Sequence, residues 1–280
     1  MNFTGKLLKK LNSFFRVPKH PLFDLHEGSD KSYAKWQFTK GDETIKYFLS
    51  YTSADDMFRD KTVIDIGCGA AGKTLYFASL GVKHIYGVDL LENYKPGAEV
   101  MAEELQLSDK FTFVTNDAIK LPFDDTSIDT IIMNDTMEHV DFPESILLEC
   151  LRVLARGGRI FMTFPTYYHP YGSHLQDAIA MPWAHLLFSE KTMVSVYKDM
   201  VKDLPNGAKR IKFRISECGE KVAYINKMTV RRFNKILKQL ELDPVYYKEL
   251  PLRKKLMLLA KIPFIKECFL HMVVCVIQKD

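Results

Sequence analysis

Three groups of residues in this sequence have the types and spacing to do chemistry. The first is Gly67-Cys68-Gly69-Ala70-Ala71-Gly72, preceded by the β-branched run 61–66 (KTVIDI) and followed by apolar residues at helical spacing. A strand, a glycine turn and a helix in that order let the backbone turn sharply and approach a nucleotide closely. Asp89 follows Gly67 by 22 residues, near the end of a second strand-like run, 84–90 (HIYGVDL), where a carboxylate can accept both hydroxyls of a ribose. That pair alone fits either a dinucleotide or an adenosyl ligand. Asp65 separates the two, because a negative charge two residues before Gly67 repels a pyrophosphate but suits an ammonium or a sulfonium. Asn116-Asp117-Ala118 closes a third run with an acceptor where an adenine amino group would lie, and a fourth run ends in Asn134-Asp135.

The second group is Asp135-Thr136-Met137-Glu138-His139, in which two carboxylates and an imidazole at i, i+3 and i+4 can share one face of a helical turn. Such a set either holds a divalent cation or caps and supports its own loop. The second reading is preferred, and no metal is assigned. The third group is the aromatic and histidine-rich stretch 167–174 (YYHPYGSH) with 181–185 (MPWAH). Aromatic side chains can wall an apolar substrate, and a histidine can take a proton from a hydroxyl. His174 ranks first as that base, because Gly172-Ser173 can bend the chain back, and His139 ranks second. For any single histidine, a structural place in a lid is preferred over a catalytic one.

The elements that must position these groups follow from periodicity. Strands are expected at 61–66, 84–90, 111–117, 128–135 and 159–165, alternating with helices at 71–80, 94–107 and 143–154, the last ended by Gly157-Gly158. That alternation implies a parallel sheet with right-handed crossovers, and ligands of such sheets bind at the carboxyl edge. Residues 165–228 break the rhythm. A helix at 229–241 and strands near 244–248 and 270–278 resume it.

With these residues assembled, the chain resembles the class I S-adenosylmethionine-dependent methyltransferase superfamily, in the small-molecule methyltransferase-11 group. The resemblance rests on VIDIGCGAAG, GVDL, NDAIKLPFDDTSID, DTMEHV and LRVLARGGRI, and covers about residues 33–165 most strongly. It implies an α/β fold: a doubly wound, mostly parallel seven-stranded sheet, Rossmann-like, with its last strand antiparallel. A lid insert at 165–228 is the departure. It also implies that Asp65, Gly67, Gly69, Asp89, Leu90, Asp117, Ala118 and Asn134 line S-adenosylmethionine. The DTMEHV segment is similar to the acidic-histidine segment of ubiquinone-pathway O-methyltransferases, where such residues are implicated in holding a cation. The expected activity is O-methylation of a small-molecule acceptor by direct displacement. N- or C-methylation, and a protein that binds the cofactor without methyl transfer, are the alternatives. A nicotinamide oxidoreductase is disfavoured by Asp65 and Asp117.

Composition agrees with that expectation. Of the 280 residues 47% are apolar and 26% charged, as in a globular enzyme. Five scattered cysteines, none spaced C-x-x-C, suit a reducing compartment, and lysines interrupt any secretory apolar core, so a cytoplasmic location is expected. The net charge of +4 is uneven. Residues 1–20 carry Lys6, Lys9, Lys10, Arg16 and Lys19, and 251–266 carry Arg253, Lys254, Lys255, Lys261 and Lys266, neither with an acid, so the remainder stands at −6. A body that acidic is not expected to bind nucleic acid. Phe3, Leu7, Leu11 and Phe14, and likewise Leu252, Leu256 and Leu259, recur at helical spacing beside the cations. Residues 1–32 therefore read as a basic amphipathic arm ahead of a methyltransferase domain at 33–280. The basic ends are expected to pack on that domain with lysines outward, with peripheral membrane contact as the alternative. Acceptor identity and oligomeric state are not encoded in any motif.

Overall fold

The computed structural model describes residues 2–18, 30–204, 207, 210, 213–216, 219–223, 225–263 and 265–280. Lys19 and Cys218 lie outside the described residues, as does part of the arm and of the insert. Helix α1 (Phe3–Asn12) starts at Asn2, whose side chain accepts the Gly5 N–H. Helices α2 (Asp30–Phe38), α3 (Gly41–Ile45) and α4 (Ala54–Phe58) precede the sheet, α4 opened by a capping box between Ser53 and Asp56. Strand and helix then alternate as β1 (Thr62–Ile66), α5 (Gly72–Ala78), β2 (His84–Asp89), α6 (Lys95–Glu104), β3 (Phe111–Thr115), β4 (Ile128–Asn134), α7 (Pro143–Val153) and β5 (Leu154–Phe164). The insert holds α8 (Ala184–Leu187), α9 (Glu190–Val201) and a hairpin of β6 (Phe213–Ser216) and β7 (Gly219–Val222). Helix α10 (Val230–Gln239), β8 (Tyr246–Pro251) and β9 (Leu270–Gln278) complete the fold.

The main sheet has seven strands in the order β3-β2-β1-β4-β5-β9-β8, parallel except for β9, which is antiparallel to both neighbours. This is the doubly wound, Rossmann-like methyltransferase arrangement. The order reverses between β1 and β4, which pair directly through Val63 with Thr130 and Asp65 with Ile132. A crevice opens at such a switch point, beyond the carboxyl ends of the strands. Alternation along the strands sends Ile64, Ile131, Ile160 and Val273 to a core under α7 and α10. Val63, Ile132, Phe161 and Val274 go to a second core under α2 to α6. Gly72 allows that second layer to close: a Cβ there would lie 2.0 Å from the Ala34 carbonyl oxygen of α2.

Four expectations are revised. Gly157 and Gly158 do not stop a helix; β5 begins at Leu154, and the glycines sit where its register against β4 shifts, between Ile128 and Thr130. Strand β8 starts two residues beyond Pro244, which has no N–H to donate, and runs on along the longer β9 to Pro251. Residues 252–259 form short 3-10 turns rather than one amphipathic helix. Helix α1 packs, but by another face than the aromatic one. Gly5, Leu8 and Asn12 are buried, whereas Phe3, Leu7 and Phe14 are exposed.

What α1 packs on is the insert. Leu8 joins Leu175, Ile179, Met193, Val196, Tyr197 and Val201 in a third apolar cluster. The Asn12 amide donates to the Ala178 carbonyl (2.9 Å) and accepts the Met181 N–H (2.9 Å), and Lys9 pairs with Asp199 at 2.6 Å. Among the described residues no helix is long and apolar enough to cross a membrane.

Candidate functional site

The carboxyl edge of β1, β2, β3 and β4 collects the residues singled out from the sequence. Asp65 ends β1 buried, its Oδ2 accepting the Thr74 hydroxyl at 2.6 Å from the first turn of α5. Burial raises its pKa to about 6, only partly opposed by the Thr74 hydrogen bond and the Lys73 charge. Gly67 and Gly69 both have left-handed φ, +76° and +53°. They differ in surroundings. A Cβ at Gly67 would meet the Thr136 hydroxyl oxygen at 2.7 Å, so this glycine seats the turn against the β4 loop. A Cβ at Gly69 would meet no atom of the described residues within 4 Å.

Asp89 ends β2 and ties the glycine turn to its own strand. Its Oδ2 accepts the Gly69 N–H (2.8 Å) and its Oδ1 the Leu91 N–H (2.9 Å), which leaves a lone pair on each oxygen for a further donor. Leu90 beside it is 66% exposed, unusual for a leucine at the end of a buried strand. Beyond β3, Asp117 accepts the Ile119 N–H (3.0 Å) and stays exposed, while Ala118 is buried. Asn134 ends β4, with its Oδ1 accepting from the Thr163 hydroxyl (2.8 Å) and its Nδ2 donating to Asp135 (3.1 Å). All eight expected cofactor residues thus lie on three neighbouring strand ends and the loop after β3.

The segment after β4 is a turn rather than a helical face. Asp135 takes a positive φ of 52° and is exposed, while Glu138 is only 3% exposed. Among the described residues neither Glu138 side-chain oxygen has a hydrogen-bond partner, and His139 Nε2 lies 3.7 Å away. Desolvation, then the Asp135 charge, push its pKa well above the usual carboxylate range. His139 faces His174, with ring centroids 4.9 Å apart and planes nearly perpendicular. The lid turn delivers His174 there, its N–H donating to the Tyr171 carbonyl and its φ at +54°. Glu138, His139 and His174 each bring one potential ligand atom within 4.8 Å of the others, so these three could hold a cation.

More histidines gather here than the sequence spacing showed. Burial foremost, then His139, His169 and His185, lower the pKa of His174 to about 3. Burial, then His271 and His185, lower that of His169 to about 4. His271 comes from the start of β9, its ring 6.1 Å from His169 and its Nε2 3.3 Å from the Tyr47 hydroxyl. Tyr33 and Tyr47, from the helices before the sheet, both feel the Asp135 charge and have raised pKa values, chiefly through burial. Tyr47 had no motif to mark it; for Tyr33 the signal available was its i, i+3, i+4 set with Trp36 and Gln37. Farther into the lid, a cavity of about 240 Å³ is lined by Tyr167, Leu175, His185, Phe188 and Met193, with Lys227 at its side. His185 Nε2 lies 2.8 Å from the Tyr167 carbonyl, which makes that nitrogen the protonated one.

The comparisons with known proteins agree with this geometry. A methyltransferase domain family matches residues 64–162, the stretch from β1 to β5. Over 155 residues the chain is 29% identical to the chloroplastic tocopherol O-methyltransferase of Arabidopsis thaliana, covering 55% of this chain and 43% of that protein. Over 96 residues it is 34% identical to a sterol 24-C-methyltransferase of Gibberella zeae, covering 34% of this chain and 25% of that protein. The match thus spans less than half the length of these curated relatives. Among solved structures, a [4+2]-cyclase superposes with a TM-score of 0.54 at 13% identity, covering 86% of this chain and 80% of the other, a likeness of fold alone. Residues 64–162 are thus similar to a methyltransferase domain, on a sheet with the class I S-adenosylmethionine-dependent methyltransferase fold.

Proposed function

We propose that this chain transfers a methyl group from S-adenosylmethionine to a hydroxyl oxygen of a small, partly apolar molecule. The carrying observation is the convergence of His139 and His174, from two separate segments, beside the buried Glu138 in the loop after β4. The cofactor edge fits its ligand. The buried Asp65 carboxylate suits a cationic amino acid moiety, the space at Gly69 admits backbone contact, and Asp89 has lone pairs for two ribose hydroxyls. Exposed Leu90 and buried Ala118 offer apolar surface to an adenine, with Asp117 as acceptor for its amino group. Asn134 holds the β4 end through Thr163.

Bound S-adenosylmethionine supplies a methyl whose bond to sulfur breaks as the bond to oxygen forms, the electron pair returning to sulfur. The chain's residues align the acceptor and receive its proton. Alignment supplies most of the rate in such a displacement. His174, held neutral by burial, keeps a lone pair at neutral pH, and the oxygen's proton becomes strongly acidic as the methyl arrives. A base of low pKa therefore suffices. Tocopherol O-methyltransferase, matched over 55% of this chain, supports oxygen as the acceptor atom; the sterol 24-C-methyltransferase match supports carbon as the second reading.

The test is methyl transfer from labelled S-adenosylmethionine to paired phenol, alcohol and amine acceptors, run with His174→Ala and His139→Ala. Turnover should fall about 100-fold or more for His174→Ala with cofactor affinity unchanged. The acid limb of kcat should lie below the range of an ordinary histidine, near pH 6.5, because the His174 pKa is lowered to about 3. Full turnover in both variants would exclude a histidine base and move the reading to carbon or nitrogen. Tight cofactor binding without transfer to any acceptor would leave a binding protein.

A further inference from the structure

Because Leu8 and Asn12 face the lid, the opposite stripe of α1 and the turn after it point to solvent. Phe3 is 79% exposed and Phe14 76%, with Leu7 and Phe15 also exposed, and the exposed cations Lys6, Lys10 and Arg16 are interleaved with them. A second surface of the same kind lies in 253–265. Leu258 is 73% exposed, and Met257, Ile262 and Ile265 are exposed among Arg253, Lys255 and Lys261. Helix α8 adds Leu187, 68% exposed. Contacts on the lid link these three segments. Asn12 grips the loop at Ala178 and Met181, and two residues on Trp183 donates to the Cys268 carbonyl (3.2 Å) and packs its ring on Phe269. Helix α8 starts at the next residue.

Large apolar side chains exposed in three linked segments mark an interaction surface, since covering them removes apolar area from water. The charge pattern selects the partner. Both basic ends lack any acid, and cations alternate with aromatic and aliphatic tips along α1, while the rest of the chain is acidic. That pattern matches an anionic lipid interface, with apolar tips at the acyl boundary and ammonium groups among the phosphates. We propose that α1, α8 and residues 253–265 dock this protein on an anionic bilayer, with the lid next to the lipid. On the methyl-transfer reading above, the acceptor is then an amphiphile taken from the membrane. The docking itself does not depend on that reading and is measured without cofactor or acceptor.

The experiment is co-sedimentation of the full chain with vesicles of phosphatidylcholine alone and of phosphatidylcholine mixed with phosphatidylglycerol, at low and high salt. The protein should pellet with the anionic vesicles, poorly with the neutral ones, and less as salt screens the charges. Phe14→Ser with Leu258→Ser, and separately Lys10→Glu with Lys255→Glu, should each weaken partition roughly tenfold or more. All four positions are exposed, so both variants should keep the parent melting temperature, which confirms that they fold. Absence of pelleting, equal pelleting with both vesicle types, or folded variants that bind like the parent would overturn the proposal. So would a salt-independent dimer in sedimentation velocity that the Phe14→Ser, Leu258→Ser variant abolishes, because the surface would then cover a second copy.

Discussion

Asp65 and Asp89 stand at neighbouring strand ends yet differ in what their removal should do. Asp89 holds the Gly69 and Leu91 amides as well as its proposed ribose hydroxyls, so Asp89→Ala loses a ligand contact and loosens the turn. Cofactor affinity should fall by about 1–3 kcal/mol in calorimetry, the range of charge-assisted hydrogen bonds. Asp65 gives a pH signature instead. Its pKa in the folded chain is about 6, above the ordinary 3.8, so between those values the folded state binds more protons than the unfolded one. Stability from this group therefore falls as pH rises through that window. A cationic ligand favours the ionised form, so cofactor affinity should rise with pH and level off above 6. Linkage gives about tenfold weaker binding at pH 5 than at pH 7. Asp65→Asn should flatten that dependence; a parent profile flat across the range would place the cation elsewhere.

Among the elements, the third glycine of the motif acts through helix packing. Gly72 is not among the residues expected to line the cofactor, and in a nucleotide turn the third glycine serves close packing of the helix. Here a Cβ would lie 2.0 Å from the Ala34 carbonyl and 2.6 Å from Gln37 Cβ, so it would push α2 away from α5. The first contact is backbone and cannot swing aside. Gly72→Ala should destabilise the fold by about 1–3 kcal/mol in urea unfolding, the usual cost of overpacking. Since α2 carries Tyr33 toward Asp135, turnover should fall more than cofactor affinity. Unchanged stability would mean that α2 is free to shift. Helix α1 makes a similar point, since the most aromatic stripe of an amphipathic helix is not the one it buries.

For the molecule as a whole, the cofactor edge and the lid are built by different parts of the chain. The edge comes from the sheet; the lid has its own apolar cluster and reaches the edge through the His139–His174 contact. A ligand that binds only the folded state raises its melting temperature by mass action. S-adenosylmethionine or S-adenosylhomocysteine should therefore raise it, and NAD or NADP should not, because Asp65 faces the glycine turn where a pyrophosphate would sit. Stabilisation by NAD with none by S-adenosylmethionine would overturn the assignment of the edge.

The sequence by itself determined the sheet and placed the candidate cofactor residues along its carboxyl edge. Both rest on short-range patterns: alternation within strands, glycines at a turn, and acids one strand apart in a topology that right-handed crossovers leave little freedom to vary. Its strands were legible to within a few residues, except where Gly157-Gly158 made a bulge and Pro244 delayed β8. Only the tertiary structure decided which distant side chains meet. His139 and His174 are 35 residues apart, and His271 is farther still, so their approach depends on the path of the insert rather than on spacing. Nor could the burial of Glu138 be read from Asp135-x-x-Glu138-His139, because the turn there, started by the positive φ of Asp135, leaves Asp135 exposed and Glu138 buried. The face that α1 buries was set by the lid's shape: Leu8 fits the third cluster and Asn12 satisfies two backbone groups, leaving the aromatic stripe outside.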